Sequence, residues 1–275
     1  MTEGIAEIGF SQRDGLTRLD HLYQRDPLRV LFPTPAAGDS SLAVMVTTSG
    51  GLVAGDRLAI AVRLAPGAVA HVTASAAEKI YRSTGPTTAI GQVLTIGDDA
   101  TLEFLPPETI LFDGARLRRE TSIELAAGAG FLGGDIVIFG RRARGEQFTS
   151  GFLREVWQVS RNGTLVWGDA LHLDDDVARV IDNAACFNGG AGFATMILSP
   201  PGGDAHGILE CARAVQTASA GGGLHAGVTA VAGLLIARWL ADDAAVLRRA
   251  YSDLACELRS VALGLPPRLP RIWHV

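Results

Sequence analysis

Four carboxylates of this sequence stand in apolar or glycine-rich segments, namely Asp56, Glu78, Asp135 and Asp169. A buried carboxylate is costly unless it is paired with a cation or faces water. Two interpretations therefore stay open. In the first, the carboxylates form salt bridges within the fold, and the candidate partners are Lys79, Arg82, Arg116 and Arg141. In the second, they line a polar, water-filled path through the interior.

His172 and Asp174 form a second group with possible metal chemistry. They are two residues apart, so a strand places both side chains on one face. Imidazole and carboxylate groups bind divalent metals, but two ligands do not make a closed site. Three consecutive aspartates span 174–176, and a solvated acidic turn is the interpretation that we prefer. Because C-x-x-C, H-x-H and H-E-x-x-H spacings are absent, the sequence predicts no tight structural metal site.

The stretch GGLVAGD at 50–56 has the glycine spacing of a phosphate-binding loop. Such a loop carries a lysine after its second glycine and leads into a helix whose N-terminus faces the anion. Here Asp56 takes the place of the lysine, and the next segment alternates like a strand. We therefore predict a glycine turn between two strands. Asp56 then either accepts backbone N–H bonds from its own loop or faces an interior path.

Nucleophilic catalysis has no recognisable motif in this chain. Ser49 and Ser150 lack the G-x-S-x-G context of a hydrolase nucleophile, and His71 lies in an alternating strand, where a lone histidine is usually structural. One enzymatic alternative is a β-helical carbohydrate hydrolase or lyase that uses Asp113 and Glu120 as paired acids. Because four tryptophans and three tyrosines offer few surfaces for sugar stacking, we do not prefer this alternative.

A two-residue hydrophobic period dominates the first 170 residues and predicts strands. It is clearest over 58–64, where branched apolar residues alternate with alanine and arginine. The other predicted strands in this part span 16–23, 28–32, 42–48, 68–75, 88–96, 101–105, 120–126, 131–139, 152–160 and 164–173.

Three similar turns recur between these strands. Each consists of a strand end, a turn and an alanine that opens the next strand, and the alanines are Ala68, Ala100 and Ala129. The intervals between them are 32 and 29 residues. A period of this length suits stacked β-layers, as in a solenoid, although ordinary hairpin turns use the same residues.

Helical periodicity appears only near the C-terminal end. One helix is predicted over 205–218 with Asp204 as its cap, and a clearer one begins near Asp242 and stops at Gly264. The predicted buried face of the second helix consists of Leu247, Ala250, Tyr251, Leu254, Leu258 and Val261. Strands are predicted at 225–231 and 233–240.

We expect a single domain over residues 1–275, because no linker composition divides the chain. Its parts are a β-rich body over about 1–200, a small α+β portion over about 201–265 packed on that body, and a C-terminal tail over 266–275.

Composition limits the partners and the compartment. The net charge is −5, with 24 basic and 29 acidic residues and no large basic block, so nucleic acid is not expected as a partner. Three widely spaced cysteines suit a reducing compartment. The N-terminus has no signal-peptide pattern, and the longest apolar stretch is too short to span a bilayer. We therefore expect a cytoplasmic protein without membrane contact.

Five segments occur in a fixed order along the chain: GGLVAGD at 50–56, EKIYRS at 78–83, LPPETILFDGARL at 105–117, FGRRARGEQF at 139–148 and LPRIW at 269–273. Together they resemble the urease accessory protein D family, called H in some lineages. The resemblance runs from about residue 35 to the C-terminus and is weakest over 174–225. Two positions depart from the family pattern, since Glu78 replaces a small hydroxyl residue and Pro107 replaces a glutamine.

The resemblance implies a maturation factor rather than an enzyme. Family members bind the urease apoenzyme and dock accessory protein F, which recruits the GTPase accessory protein G, and the assembly delivers nickel to urease. The resemblance therefore implies no tightly bound cofactor, with Ni²⁺ only in transit. It also implies a mainly β fold, an irregular β-helix-like body of layered sheets with about two helices in the C-terminal portion.

The family is also regarded as a nickel conduit with internal acidic residues. By position, the resemblance assigns Asp56, Asp135 and Asp169 to such a path, and we add His172, which follows Asp169 in the same predicted strand. A conduit must release its metal, so a few scattered ligands suit it better than a closed four-ligand site. The sequence does not predict which surface meets which partner.

Overall fold

The structure is a computed structural model that describes residues 2–219 and 221–274. The side chain of Asp175, part of the predicted acidic turn, lies outside the described part. The helices are α1 Val177–Asp182, α2 His206–Ala218 and α3 Ala244–Leu263. The strands are β1 Glu3–Arg13, β2 Leu16–Arg25, β3 Leu28–Leu31, β4 Ser41–Thr47, β5 Arg57–Leu64, β6 Val69–Ala74, β7 Glu78–Ile80, β8 Thr88–Ile96, β9 Thr101–Phe104, β10 Thr109–Leu111, β11 Arg116–Leu125, β12 Gly130–Phe139, β13 Ser150–Arg161, β14 Thr164–Asp176, β15 Gly192–Ser199, β16 Leu224–Val231 and β17 Leu234–Ala241.

Two sheets contain these strands. The first sheet has the order β14-β13-β11-β8-β5-β1-β2. The second has the order β16-β17-β15-β12-β9-β6-β4-β3, with the short strands β7 and β10 joined beside β12. The prediction of a mainly β fold is confirmed, and each strand predicted from the hydrophobic period is present.

The body is built from repeated layers, each of which adds one strand to each sheet. The pairs β5 and β6, β8 and β9, and β11 and β12 are successive layers, and equivalent strands pair in parallel. The turns stack as well, because Gly67 N–H donates to the Asp98 carbonyl and Asp99 N–H donates to the Ala127 carbonyl, both at 2.9 Å. These bonds join one layer to the next, so the layered interpretation is correct and the hairpin alternative is wrong.

The central part of the second sheet is buried on both faces. One face packs against the first sheet, and the other packs against α3. Every residue of β12 is buried, which explains its nearly continuous apolar sequence. Along β12, Phe131 and Val137 face the first sheet, whereas Leu132 and Ile136 face the helices. Asp135 shares the orientation of the first pair, so its carboxylate lies between the sheets.

The helix α3 has the predicted signals at its ends. Asp243 caps its N-terminus by accepting N–H bonds from Ala245 and Val246, and Gly264 ends it in the left-handed conformation with φ of 64°. The predicted buried face contains one error. Val261 is exposed, and Arg259 is buried instead because its guanidinium pairs with carboxylates of the body.

Among the described residues, no helix has the length and apolar character needed to cross a membrane.

Candidate metal path and buried charge clusters

The glycine turn that precedes β5 places Asp56 against backbone groups. Asp56 is buried, and its two oxygens accept N–H bonds from Thr2 at 2.8 Å and from Val53 at 3.0 Å. Gly51 has a φ of 147°, and a side chain there would meet the ring of Tyr81 and the carbonyl of Lys79. The turn therefore has a structural role: it connects the start of the chain to β5. Both oxygens of Asp56 are bonded to backbone N–H groups.

Asp135 belongs to a charge cluster between the two sheets, which we name the Arg119 cluster: Arg119, Asp135, Glu155 and Thr109. Arg119 reaches from the first sheet and pairs with Asp135 of the second sheet. Its Nη2 also donates to Glu155 Oε1 at 2.8 Å, and its Nη1 donates to the Thr109 hydroxyl at 2.8 Å. All four residues are buried, so this pairing offsets part of the cost of taking the charges out of water.

The carboxylates of the Arg119 cluster are incompletely bonded. Glu155 Oε1 accepts from Arg119 and from the Trp157 indole N–H, whereas Glu155 Oε2 has no partner among the described residues. Asp135 Oδ1 is buried as well and has no hydrogen-bond partner in the described part of the chain. Buried acceptors without donors are rare, because each one has lost its water without replacement. The cluster thus has acceptor capacity left for a cation or a water.

Arg119 and Glu155 were missed as site residues, although the sequence contains a signal for both. Arg119 lies on the inward face of β11 together with Leu117 and Thr121. Glu155 lies on the inward face of β13 together with Leu153. A charged residue at an inward position of an alternating strand requires a buried partner. Continuing the predicted strand back to residue 116 would have placed Arg119 on that face.

A small cavity of about 50 Å³ lies beside the Arg119 cluster between the sheets, and Arg119, Thr109, Gln92 and Glu78 contribute polar groups to it. Burial raises the pKa of Glu78 above its ordinary value, although a hydrogen bond from the Thr47 hydroxyl and the charges of Lys79 and Arg119 act in the opposite direction. A cavity with these polar groups is large enough for a water molecule.

Asp169 and His172 lie on opposite faces of β14. Asp169 points toward the second sheet, where it pairs with Arg238 of β17 at 2.8 Å, so this pair joins the edge strand of the first sheet to the second sheet. His172 is exposed on the outer face, 3.8 Å from Asp174 and against the ring of Phe152. The prediction that His172 and Asp174 share a face is correct, but Asp169 does not share it.

The salt-bridge interpretation is correct for two of the four carboxylates, but the predicted partners are wrong. Asp135 pairs with Arg119 and Asp169 pairs with Arg238, because the partner in each case lies on the opposite sheet. Two of the predicted cations bind other acids, since Arg82 pairs with Asp113 and Arg141 pairs with Glu146.

Within residues 2–219 and 221–274, no group of three or more histidine, cysteine, aspartate or glutamate side chains is arranged to hold a metal ion. Asp56, Asp135, Asp169 and His172 each lie in separate surroundings with partners of their own. Whether nickel passes along them stays a prediction.

A second charge cluster lies where α3 packs on the body, and we name it the Arg259 cluster: Arg259, Glu103, His71 and Asp39. Arg259 Nε donates to Glu103 Oε1 at 2.6 Å, and its Nη2 donates to Asp39 at 2.6 Å. His71 Nδ1 lies 3.2 Å from Glu103 Oε2. Burial alone raises the pKa of Glu103, but the charges and hydrogen bonds of His71 and Arg259 lower it below its ordinary value. His71 is thus buried in β6 and held against a carboxylate of β9.

The paired acids of the carbohydrate-hydrolase alternative have structural partners. Asp113 accepts N–H bonds from Thr149 and Ser150 and pairs with Arg82. Burial raises its pKa, but these bonds and the charge of Arg82 outweigh burial and lower the pKa below its ordinary value. Glu120 is exposed and pairs with Arg118. A glycosidase needs one acid that stays protonated, and the lowered pKa of Asp113 does not suit that role.

Comparison with known proteins gives a consistent result. A family model described as UreD urease accessory protein matches residues 2–274. A protein of Magnetococcus marinus named urease accessory protein UreD is 42% identical over 99% of this chain and 94% of its own length. Proteins of the same name are 41% identical in a Methylobacterium species, over 94% of this chain and 90% of that protein, and 37% identical in Rhodopseudomonas palustris, over 98% and 90%. The chain belongs to the UreD family of urease accessory proteins.

Proposed function

We propose that this chain acts in urease maturation as a non-catalytic scaffold in the cytoplasm. It binds the urease apoenzyme and accessory protein F, and accessory protein F recruits the GTPase accessory protein G. The observation that carries this proposal is the family match over residues 2–274, supported by relatives whose names describe urease accessory proteins. The scaffold holds no resident cofactor, and nickel is its cargo.

The proposal extends to a path for nickel between the two sheets. Its support is the Arg119 cluster, where the buried acceptors Asp135 Oδ1 and Glu155 Oε2 have no donor within residues 2–219 and 221–274. Two carboxylates outnumber the single guanidinium, so the cluster attracts a divalent cation. Carboxylate oxygens and water are acceptable ligands for Ni²⁺, and a pair of them holds the ion less firmly than a full ligand set.

Arg119 gives the proposed path a means of release. The guanidinium of Arg119 already pairs with one oxygen of each carboxylate. An arriving cation therefore competes with Arg119 for Asp135 and Glu155. When nickel leaves, Arg119 re-forms its pairs and the buried charges stay compensated. Asp56 and Asp169 would each have to exchange existing partners for the metal, and His172 stands on the solvent face. These three residues are accordingly weaker members of the path than Asp135.

The test compares two aspartate variants in a complete maturation system. Urease subunits, accessory proteins F and G, and this chain are co-expressed in nickel-supplemented cells. Recovery of the complex, nickel per urease and urease activity are then measured. We expect Asp135→Asn to assemble normally and to lower nickel loading roughly tenfold, because it removes a charge that the metal meets. Asp20→Asn is the matched control, since Asp20 is an exposed aspartate that also pairs with an arginine, Arg13.

The outcomes separate the two parts of the proposal. Normal assembly with full nickel loading in Asp135→Asn refutes the path and leaves the scaffold intact. If urease reaches the same nickel-dependent activity with and without this chain, the scaffold is wrong as well.

A further inference from the structure

A cavity of about 500 Å³ opens where the C-terminal tail crosses the loop between β3 and β4. Its apolar wall includes Pro33, Leu42, Val44, Leu269 and Ile272. A volume of this size suits a small organic ligand. The cavity shares no lining residue with the one beside the Arg119 cluster, so it is independent of the proposed nickel path.

Two residues of the Arg259 cluster, His71 and Arg259, line this cavity, and each has one nitrogen without a partner among the described residues. His71 Nε2 and Arg259 Nη1 are both buried without a hydrogen bond among the described residues, and each residue is 1% exposed. A buried guanidinium N–H without an acceptor is costly, because its hydration has been removed and not replaced. Both atoms therefore point to a ligand that supplies acceptor oxygens.

The rest of the Arg259 cluster holds these two nitrogens in place. Arg259 is fixed by bonds from Nε and Nη2 to Glu103 and Asp39, and His71 is fixed by its Nδ1 contact with Glu103. The ligand-free nitrogens are thus pre-organised, which lowers the ordering cost of binding. Arg268 and Arg271 also line the cavity, and Asp39 is the carboxylate among its lining residues, so the site disfavours a cation.

We propose that this cavity binds a carboxylate carried on a short apolar chain. Arg259 Nη1–H donates to one carboxylate oxygen, and His71 Nε2–H donates to the same group. The apolar chain lies against the proline, leucine and isoleucine wall. The same chemistry is offered by a free short-chain acid and by the C-terminal carboxylate of a peptide that ends in an apolar residue.

The test uses isothermal titration calorimetry on the full chain, in complex with accessory protein F where this is needed for solubility. The probes are hexanoate, its neutral analogue hexanamide, and the tripeptide Ala-Ala-Leu as free acid and as C-terminal amide. We expect each acid to bind at least about tenfold more tightly than its amide, because a charge-assisted hydrogen bond to a buried guanidinium is lost in the amide. The ranking of hexanoate against the tripeptide acid then distinguishes a free acid from a peptide end.

Two neighbouring alanines provide a matched pair of variants. Ala36 lines the cavity at an exposed position, whereas the adjacent Ala37 is exposed and does not line it. We expect Ala36→Trp to fill the opening and weaken acid binding by about tenfold or more, and Ala37→Trp to leave it unchanged. His71→Gln, which keeps an amide donor for Glu103, should weaken binding of the acids and not of the amides.

Three results would overturn the proposal. They are equal affinity for hexanoate and hexanamide, no binding of either acid, and wild-type binding in Ala36→Trp. The first variant pair replaces two exposed alanines and no charged residue of the fold, so a folding defect does not obscure the answer.

Discussion

The Arg119 cluster and the Arg259 cluster are built from similar residues, yet the atoms that lack hydrogen-bond partners are of opposite type in the two clusters. Each places one buried arginine between carboxylates on two different elements of the fold. In the Arg119 cluster the spare atoms are acceptors, Asp135 Oδ1 and Glu155 Oε2. In the Arg259 cluster the spare atoms are the nitrogens His71 Nε2 and Arg259 Nη1.

This difference indicates which ligand each region suits. Surplus carboxylate oxygen favours a cation, and surplus guanidinium N–H favours an anion. The carboxylate at the centre of the Arg259 cluster is fully bonded, because both oxygens of Glu103 accept from Arg259 or lie against His71. That carboxylate stabilises the fold, whereas Asp135 retains an oxygen that can accept a bond from a cation or a water.

The largest effect is expected from Arg259→Met. The substitution leaves Glu103, which has no exposed surface, without its principal cation. We expect a loss of about 3–5 kcal/mol in the free energy of unfolding, since one member of a buried ion pair is left uncompensated. Urea unfolding measures it. The double variant Glu103→Leu with Arg259→Met should recover most of the loss, and failure to recover any would contradict this account.

A second prediction compares the loss of stability when Glu103 or Asp135 is replaced by its amide. Glu103→Gln should cost about 2–3 kcal/mol, because it weakens several charge-assisted hydrogen bonds at once. Asp135→Asn should cost about 1 kcal/mol or less, because one oxygen of Asp135 has no donor among the residues that the structure describes and Arg119 keeps its bond to Glu155. Equal losses in the free energy of unfolding would show that the clusters do not differ in the way proposed.

Asp56→Ala tests the architectural account of the glycine turn. The variant removes the acceptors of two backbone N–H groups, those of Thr2 and Val53. Lost side-chain caps of this kind cost about 1 kcal/mol, so we expect a decrease of that size in the free energy of unfolding. Asp56→Asn, which keeps an acceptor oxygen, should lose less. Unchanged stability in both variants would refute the architectural role.

The smallest effect concerns pH. The pKa of Glu78 is raised by burial above the ordinary value of 4.5, so the folded state holds this proton more firmly than the unfolded state. The resulting stability is present at low pH and is lost as pH rises through the folded-state pKa. Glu78→Gln mimics the protonated side chain and should reduce that loss, as measured by urea unfolding across mildly acidic to neutral pH. An identical pH profile in wild type and variant would contradict the assignment.

The layered body was predictable because its signals are local. Alternation predicts β5 without reference to any other strand, and the recurring alanines mark turns that stack on one another. The strand β1 was not predicted, although Ala6, Ile8 and Phe10 alternate toward the core. The three-residue strands β7 and β10 are too short to show a period.

The charge clusters were predictable only in part. Periodicity places Arg119 and Glu155 on inward faces, but it contains no information on which residue of the other sheet lies opposite. The pairing of Asp135 with Arg119 depends on the registry between the sheets. The burial of Arg259 was harder to predict, because a charged residue next to an apolar stripe is usually solvated. In the structure, Arg259 takes the buried position that was predicted for Val261.

The bond between Glu103 and Arg259 joins residues that are 156 positions apart in the chain. During translation, β6 and β9 leave the ribosome long before α3 exists. Until α3 emerges, Glu103 has no arginine partner, and the face of the second sheet that packs on α3 has no cover. Such nascent chains depend on chaperones to avoid aggregation. We therefore expect premature stop codons upstream of Arg259 to yield insoluble product, so that synthesis of the last helix decides when the body becomes competent to meet a partner.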